Sequence, residues 1–149
     1  MRRTLTWGLL VVVVVVAAPM GQRAAWSQYS AATGAVGATS TTLLQTSKTS
    51  TGQDIQYPSV RPQVTALLVE IAPGGQTGRH RHPIPTVAYI LEGTLTVAID
   101  GHGEKVFTAG QSLIEAVNTW HNGMNRGTTP VKILAVFVGQ KGTPNVVRP

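Results

Sequence analysis

His80 and His82 stand one residue apart in the stretch GGQTGRHRHPIPTVAYILEG, and a third histidine, His121, follows in NTWHNGMN. In extended chain, successive side chains point to opposite faces, so residues two apart share a face and their imidazoles can converge on one ion. An H-x-H pair is therefore half a metal site, and neutral imidazole is the commonest ligand for borderline transition metals. The chain has no cysteine. This excludes disulfides, thiolate metal sites and a cysteine nucleophile, so any metal must rest on nitrogen and oxygen. By themselves the two histidines fit an exposed pair beside Arg79 and Arg81 equally well. Those arginines alternate with them, which puts the guanidinium groups on the opposite face as solvated charge. His102, between glycines in DGHG, is expected to be exposed.

Strands must position these residues. Charged residues make up only 12% of the sequence, and its many threonines, valines and glycines suit strands and turns better than surface helices. Residues 63–72, QVTALLVEIA, predict a strong strand; both faces are mostly apolar, which predicts burial between two sheets. His80 and His82 fall on a short extended piece that Pro83 and Pro85 must end, since proline cannot donate to a ladder. Further strands are predicted over 86–91, 94–100, 104–109, 111–117 and 131–139, with a hairpin turn at Asp100-Gly101-His102-Gly103. A short strand is also expected near 41–50, and the tail KGTPNVVRP is expected to add an edge. Short, regularly spaced strands with turn signals and no convincing helix argue for an all-β sandwich or barrel.

The formal charge of +6 suggests nucleic acid, but Arg2, Arg3 and Arg23 lie in the N-terminal segment. Beyond residue 27, nine Lys and Arg face six Asp and Glu, and no basic run with interleaved aromatics remains, so no nucleic-acid partner is expected. Residues 1–27 open with two arginines, followed by an apolar run of about a dozen residues and then small residues, the layout of a secretory signal rather than a bilayer-spanning helix. Cleavage is expected after Ser27, giving a periplasmic or secreted protein with no membrane partner; an uncleaved N-terminal anchor is the alternative. Residues 28–40 read as a flexible lead-in, followed by one domain over 41–149.

The histidine-bearing segments resemble the cupins, a superfamily of small jelly-roll β-barrels (double-stranded β-helices). Their first motif, G-x5-H-x-H-x3,4-E-x6-G, is matched by Gly74, His80, His82 and Gly93; their second, G-x5-P-x-G-x2-H-x3-N, by Gly110, His121 and Asn125. The resemblance spans 63–139 and implies His80, His82 and His121 as metal ligands. Two motifs in the right order and spacing are far more specific than either alone. The family's metal-binding glutamate falls at Thr86, and the second motif's proline and glycine are Ala116 and Asn118. Asparagine tolerates the left-handed backbone almost as glycine does. A threonine hydroxyl, by contrast, is a weak neutral ligand, so three imidazoles without a carboxylate would leave the ion's charge uncompensated.

Two other carboxylates, Glu92 and Glu115, bear on the missing glutamate. Glu92 lies six residues beyond Thr86, about 20 Å along a strand, and cannot reach. Glu115, in the apolar context IEAV, is a secondary candidate as ligand or catalytic acid-base group. Turned inward it would have a raised pKa or bind something; the expectation is that it points outward into solvent. Trp120 is expected to pack at the barrel mouth, with a substrate platform as the alternative.

The resemblance implies a divalent transition metal (Fe, Mn, Ni, Cu or Zn) and dioxygenase-, isomerase- or lyase-type chemistry on a small organic molecule. A non-catalytic small-molecule-binding module is the alternative, and a structural protein with relic histidines is a third reading. The resemblance also implies a homodimer.

Overall fold

The computed structural model describes residues 40–149. The expected signal segment and nearly all of the lead-in lie outside the described residues. Seven strands follow in order: β1 (Pro62–Ile71), β2 (Thr86–Glu92), β3 (Thr94–Ile99), β4 (Gly103–Thr108), β5 (Ser112–Ile114), β6 (His121–Asn125) and β7 (Val131–Gln140). They form two antiparallel sheets, β1-β7-β2-β5 and β4-β3-β6, with no helix among the described residues. The fold is the all-β double sheet expected from the strand pattern.

Alternation in β7 shows how the sequence sets the layers. Val131, Ile133, Ala135 and Phe137 are buried, while Lys132, Leu134, Val136 and Val138 face outward. Val131 and Ile133 meet Ala88 and Ile90 of β2 and, across the sandwich, Leu95, Val97 and Ile99 of β3, while Ala135 and Phe137 pack with Ile84. At roughly 1.5–3 kcal/mol for each large apolar side chain, burial of this cluster dominates the favourable side of folding.

β1 departs from expectation. It is an edge strand, paired to β7 alone from Pro62↔Gln140 to Ile71↔Val131. Only its inner face meets the core, through Ile71 and Val69. Val64 and Leu68 on the outer face are 66% and 67% exposed. Two apolar faces need two covering layers, and the described residues supply one. Residues 41–50 also form no strand; Lys48 and Asp54 make a single bridge there.

Turns follow their chemistry. At Gly93 the backbone has φ +79°, and a Cβ there would lie 2.5 Å from the Pro130 carbonyl oxygen, so only glycine joins β2 to β3 this tightly. Asn118, standing where the motif has glycine, takes φ +54°. Asparagine is among the few residues that accept this conformation.

Candidate metal centre

Three short pieces of chain bring the donors together. His80 faces His121 across an antiparallel bridge, each amide donating to the other's carbonyl at 2.9 and 2.8 Å. This bridge continues the β4-β3-β6 sheet by one short rung, because His121 opens β6 and pairs with Ile99. Two residues on, His82 pairs in parallel with Val117, and its carbonyl accepts from Asn118 N–H at 2.8 Å. The left-handed Asn118 thus turns the chain between the His82 contact and His121. Pro83 and Pro85 end the extended piece before β2, as the sequence required.

His80, His82 and His121 are all buried. Their ring centroids lie 4.4–5.1 Å apart. Each ring is fixed from behind through Nδ1: His80 to the Gly78 carbonyl at 2.7 Å, His82 to the Asn145 carbonyl at 2.7 Å, and His121 to the Thr119 carbonyl at 2.9 Å. A carbonyl only accepts, so Nδ1 carries the proton in all three. In the neutral ring Nε2 then offers its lone pair, the arrangement by which protein environments prepare a histidine for a metal.

Glu115 is the correction that matters most for function. It was expected to point outward, yet its carboxylate turns inward, with Oε2 3.0 Å from Nε2 of both His82 and His121. Of the two outcomes expected for an inward carboxyl, a raised pKa or engagement with a partner, the pKa is not raised. Burial would raise it, but contacts from His121 and His82 and their charge hold the carboxyl well below the usual carboxylate range. His121 is raised: burial pushes it down, and the adjacent Glu115 carboxylate more than reverses this. His80 is lowered, chiefly by burial, with the neighbouring imidazoles adding to the effect.

Together His80, His82, Glu115 and His121 offer four ligand atoms within 4.8 Å of one another. Their fit to a cation can be judged from two observations. His121 Nε2 is buried without a hydrogen-bond partner, the Glu115 oxygen lying off the line along which a ring N–H would donate. In addition, two ligands about 2.1 Å from an ion and at right angles to each other are roughly 3.0 Å apart, which is the Glu115 separation from the His82 and His121 imidazoles. The donor set fits a borderline divalent ion, and its carboxylate offsets part of the charge.

Thr86, the residue at the motif's glutamate position and a weaker candidate ligand, offers a neutral hydroxyl in place of a carboxylate. It is buried, and its hydroxyl donates to the Ile84 carbonyl at 3.4 Å. Its own carbonyl accepts from the Glu115 amide at 2.9 Å. The residue at the motif's glutamate position therefore lies beside the glutamate whose side chain reaches the histidines. Glu92 is remote, as reasoned, and pairs with Lys132 at 2.8 Å.

Arg79 and Arg81 lie on the face opposite the histidines, as expected, and Trp120 lies beneath them. Both guanidinium groups lie over the indole of Trp120, at 4.8 and 5.0 Å from its centroid, and Arg79 pairs with Asp100. Trp120 is thus a support for two arginines on the outside of the barrel. His102 is exposed, as expected.

A cavity of about 290 Å³ opens from the donor cluster. Leu67, Val69, Leu95, Ile133 and Phe137 form most of its apolar wall, and Thr77, Val146 and Arg148 complete it. The tail was expected to add a strand edge; it does so only through an Arg81–Val147 bridge, and otherwise serves the cavity and His82. No sequence signal marks Asn145, whose backbone carbonyl acts, since any residue type has one.

A two-sheet β-barrel carrying three inward histidines and a carboxylate on its short connecting segments defines the class. Residues 67–137 match the family described as Cupin domain, which places this part of the chain within the cupin superfamily. Germin-like protein 1-1 of Oryza sativa subsp. japonica is 34% identical over 82 residues, covering 52% of this chain and 38% of the relative. Oxalate decarboxylase of Lactobacillus farciminis, solved as a formate complex, matches with a TM-score of 0.50 and 26% identity, over 56% of this chain and 26% of that one. Bacillus subtilis oxalate decarboxylase, studied for its Mn(II) centres, gives a TM-score of 0.50 at 24% identity over 56% and 23% of the two chains, a likeness of fold. This chain spans well under half the length of each of these proteins.

Proposed function

We propose that the chain binds a divalent transition metal through Nε2 of His80, His82 and His121 and a carboxylate oxygen of Glu115, and acts there on a small organic molecule held in the adjoining cavity. The observation that carries this reading is the convergence of four donors whose three imidazoles are each locked from behind by a backbone carbonyl. Such an ion supplies Lewis acidity and, for iron, manganese or copper, redox capacity. The chain's own residues do the rest. The Nδ1 hydrogen bonds hold the rings in one tautomer, Glu115 supplies negative charge, and the apolar walls limit water and favour a ligand with hydrocarbon surface.

The Lactobacillus farciminis relative is an oxalate decarboxylase, which supports lyase-type chemistry here. Isomerase- or dioxygenase-type chemistry suits the same donor set. A non-catalytic binding module is favoured by one observation: Glu115 is the sole carboxylate lining the cavity, and its engagement with two histidines leaves no free general base among the lining residues.

Elemental analysis of protein prepared without chelator or histidine tag tests the centre. About one equivalent of a transition metal is expected in the parent and none in His80→Ala/His82→Ala. A metal-free parent after incubation with iron, manganese, copper and zinc would overturn the proposal.

Export to the periplasm or medium, with cleavage after Ser27, is also part of this reading, supported by the charge and apolar pattern of residues 1–27. So is a homodimer. The outer sheet face aligns Leu68 with Leu134 and Tyr89, and Ala66 with Val136 and Val87, beside the unpaired edge of β1. An apolar face of this kind marks an interaction surface. Sedimentation analysis is expected to show a dimer in the parent and a monomer in Leu68→Lys.

A further inference from the structure

The last residues of the chain form a strap across the cavity mouth. Arg81 N–H donates to the Val147 carbonyl at 3.0 Å, and Val147 N–H returns to the Arg81 carbonyl at 2.9 Å. Val146 packs on Ile84, Ala135 and Phe137. These contacts bring Arg148 to the rim, where Nη1 donates to the Thr77 carbonyl at 3.1 Å. Gly78 makes room for it: the backbone there has φ +74°, and a Cβ would lie 3.3 Å from the same Nη1. One hydrogen bond therefore aims the guanidinium and leaves four of its five N–H donors available.

Arg148 is the only lysine or arginine among the cavity-lining residues, and it joins none of the ion pairs among the described residues. The donor cluster also lines this cavity, and apolar wall makes up most of the remainder. A ligand matching this lining has a metal-binding end, an apolar body and one negative charge. Because a planar guanidinium pairs with a carboxylate through two parallel hydrogen bonds, and a single cation balances a single charge, a carboxylate fits better than a doubly charged phosphate. Size points the same way. An apolar cavity of about 150 Å³ accepts benzene, and this one is about 290 Å³. A two-carbon diacid would leave the apolar walls without a partner.

We propose that Arg148 is a specificity-determining residue that binds the carboxylate of a substrate or ligand with an aromatic or branched aliphatic body. This rests on reading the cavity as the ligand pocket of the metal centre. The test uses the full described chain in metal-free form, so that a carboxylate–metal bond cannot imitate the arginine contact. Calorimetric titration is carried out with 3-phenylpropanoate, 4-methylpentanoate, 3-phenylpropanamide and phenethyl phosphate, against the parent, Arg148→Lys and Arg148→Gln.

At least one acid is expected to bind the parent more tightly than the amide or the phosphate. In Arg148→Gln that acid should bind about tenfold more weakly, the effect of losing a charge-assisted hydrogen bond at a partly exposed site. Arg148→Lys should lie between, retaining charge without the fork. Both variants are expected to keep the parent's thermal midpoint and metal content, because the strap's backbone bonds to Arg81 remain. Equal binding of acid and amide, undiminished acid binding in Arg148→Gln, preference for the phosphate, or binding of neither acid would overturn the proposal. Failure of the metal-centre reading would appear separately, as absence of metal in the parent.

Discussion

The two segments that meet at the donor cluster, 80–85 and 115–121, reach it by different routes. The first carries both histidines on one face of a short extended piece, so their convergence follows from two-residue periodicity. The second brings Glu115 from the end of β5, then Ala116 into the core and Asn118 into a left-handed turn, before His121 opens β6. Its geometry depends on β5 pairing with β2 in a register that sets Val87 opposite Ile114, and hence the Glu115 amide against the Thr86 carbonyl. The comparison teaches that ligands borne on one strand are secured by local geometry. A ligand borne on a neighbouring strand can be exchanged for one next to it across the ladder.

Exchanging the carboxylate should break this comparison most strongly. Glu115→Gln is expected to weaken metal binding about 10- to 100-fold, on the scale of altered metal-site partners, as measured by competition with a chromophoric chelator. If the carboxylate has only changed strands, Thr86→Glu in the Glu115→Gln background should recover at least part of that affinity. No recovery, with the fold intact by circular dichroism, would show that the two positions are not interchangeable.

The turn of the second segment comes next in size. Asn118→Val should destabilise the protein by about 1–2 kcal/mol, the cost of a β-branched residue in the left-handed region, whereas Asn118→Gly should leave stability nearly unchanged. Denaturant midpoints of the two variants check this.

The smallest effect is the pH dependence of the metal-free protein. His121 is raised above its ordinary 6.5 by Glu115. Its stabilising contribution is therefore complete below that value and lost as pH rises through the higher folded value. Glu115, held low, contributes above the ordinary carboxylate range and loses that contribution as pH falls towards its folded value. The difference in thermal midpoint between parent and Glu115→Gln should thus narrow as pH rises from 6 through 8. A constant difference would show that the carboxylate does not act through His121.

Much of the site was legible along the chain. The spacing of Gly74, His80, His82 and Gly93, and of Gly110, His121 and Asn125, placed the histidines, and the alternation in β7 marked its buried face. The direction of Glu115 was not. Its neighbours in IEAV are apolar on both sides, and a residue just past a three-residue strand has no periodicity long enough to assign a face. The exposure of β1 was illegible for a related reason. An apolar face reads the same whether a second sheet of the same chain or another surface covers it, and among the described residues no second sheet does.

By itself the sequence determined the all-β class, the three histidines and the turns that accept positive φ, because these depend on side-chain alternation and on the conformations open to single residues. Only the tertiary structure decided that Glu115 faces the imidazoles, that Asn145 fixes His82, and that Arg148 stands at the cavity rim. Those placements depend on cross-strand register and on where the chain's last residues return. Both are set by packing of the two sheets as a whole and leave no mark on the spacing of neighbouring residues.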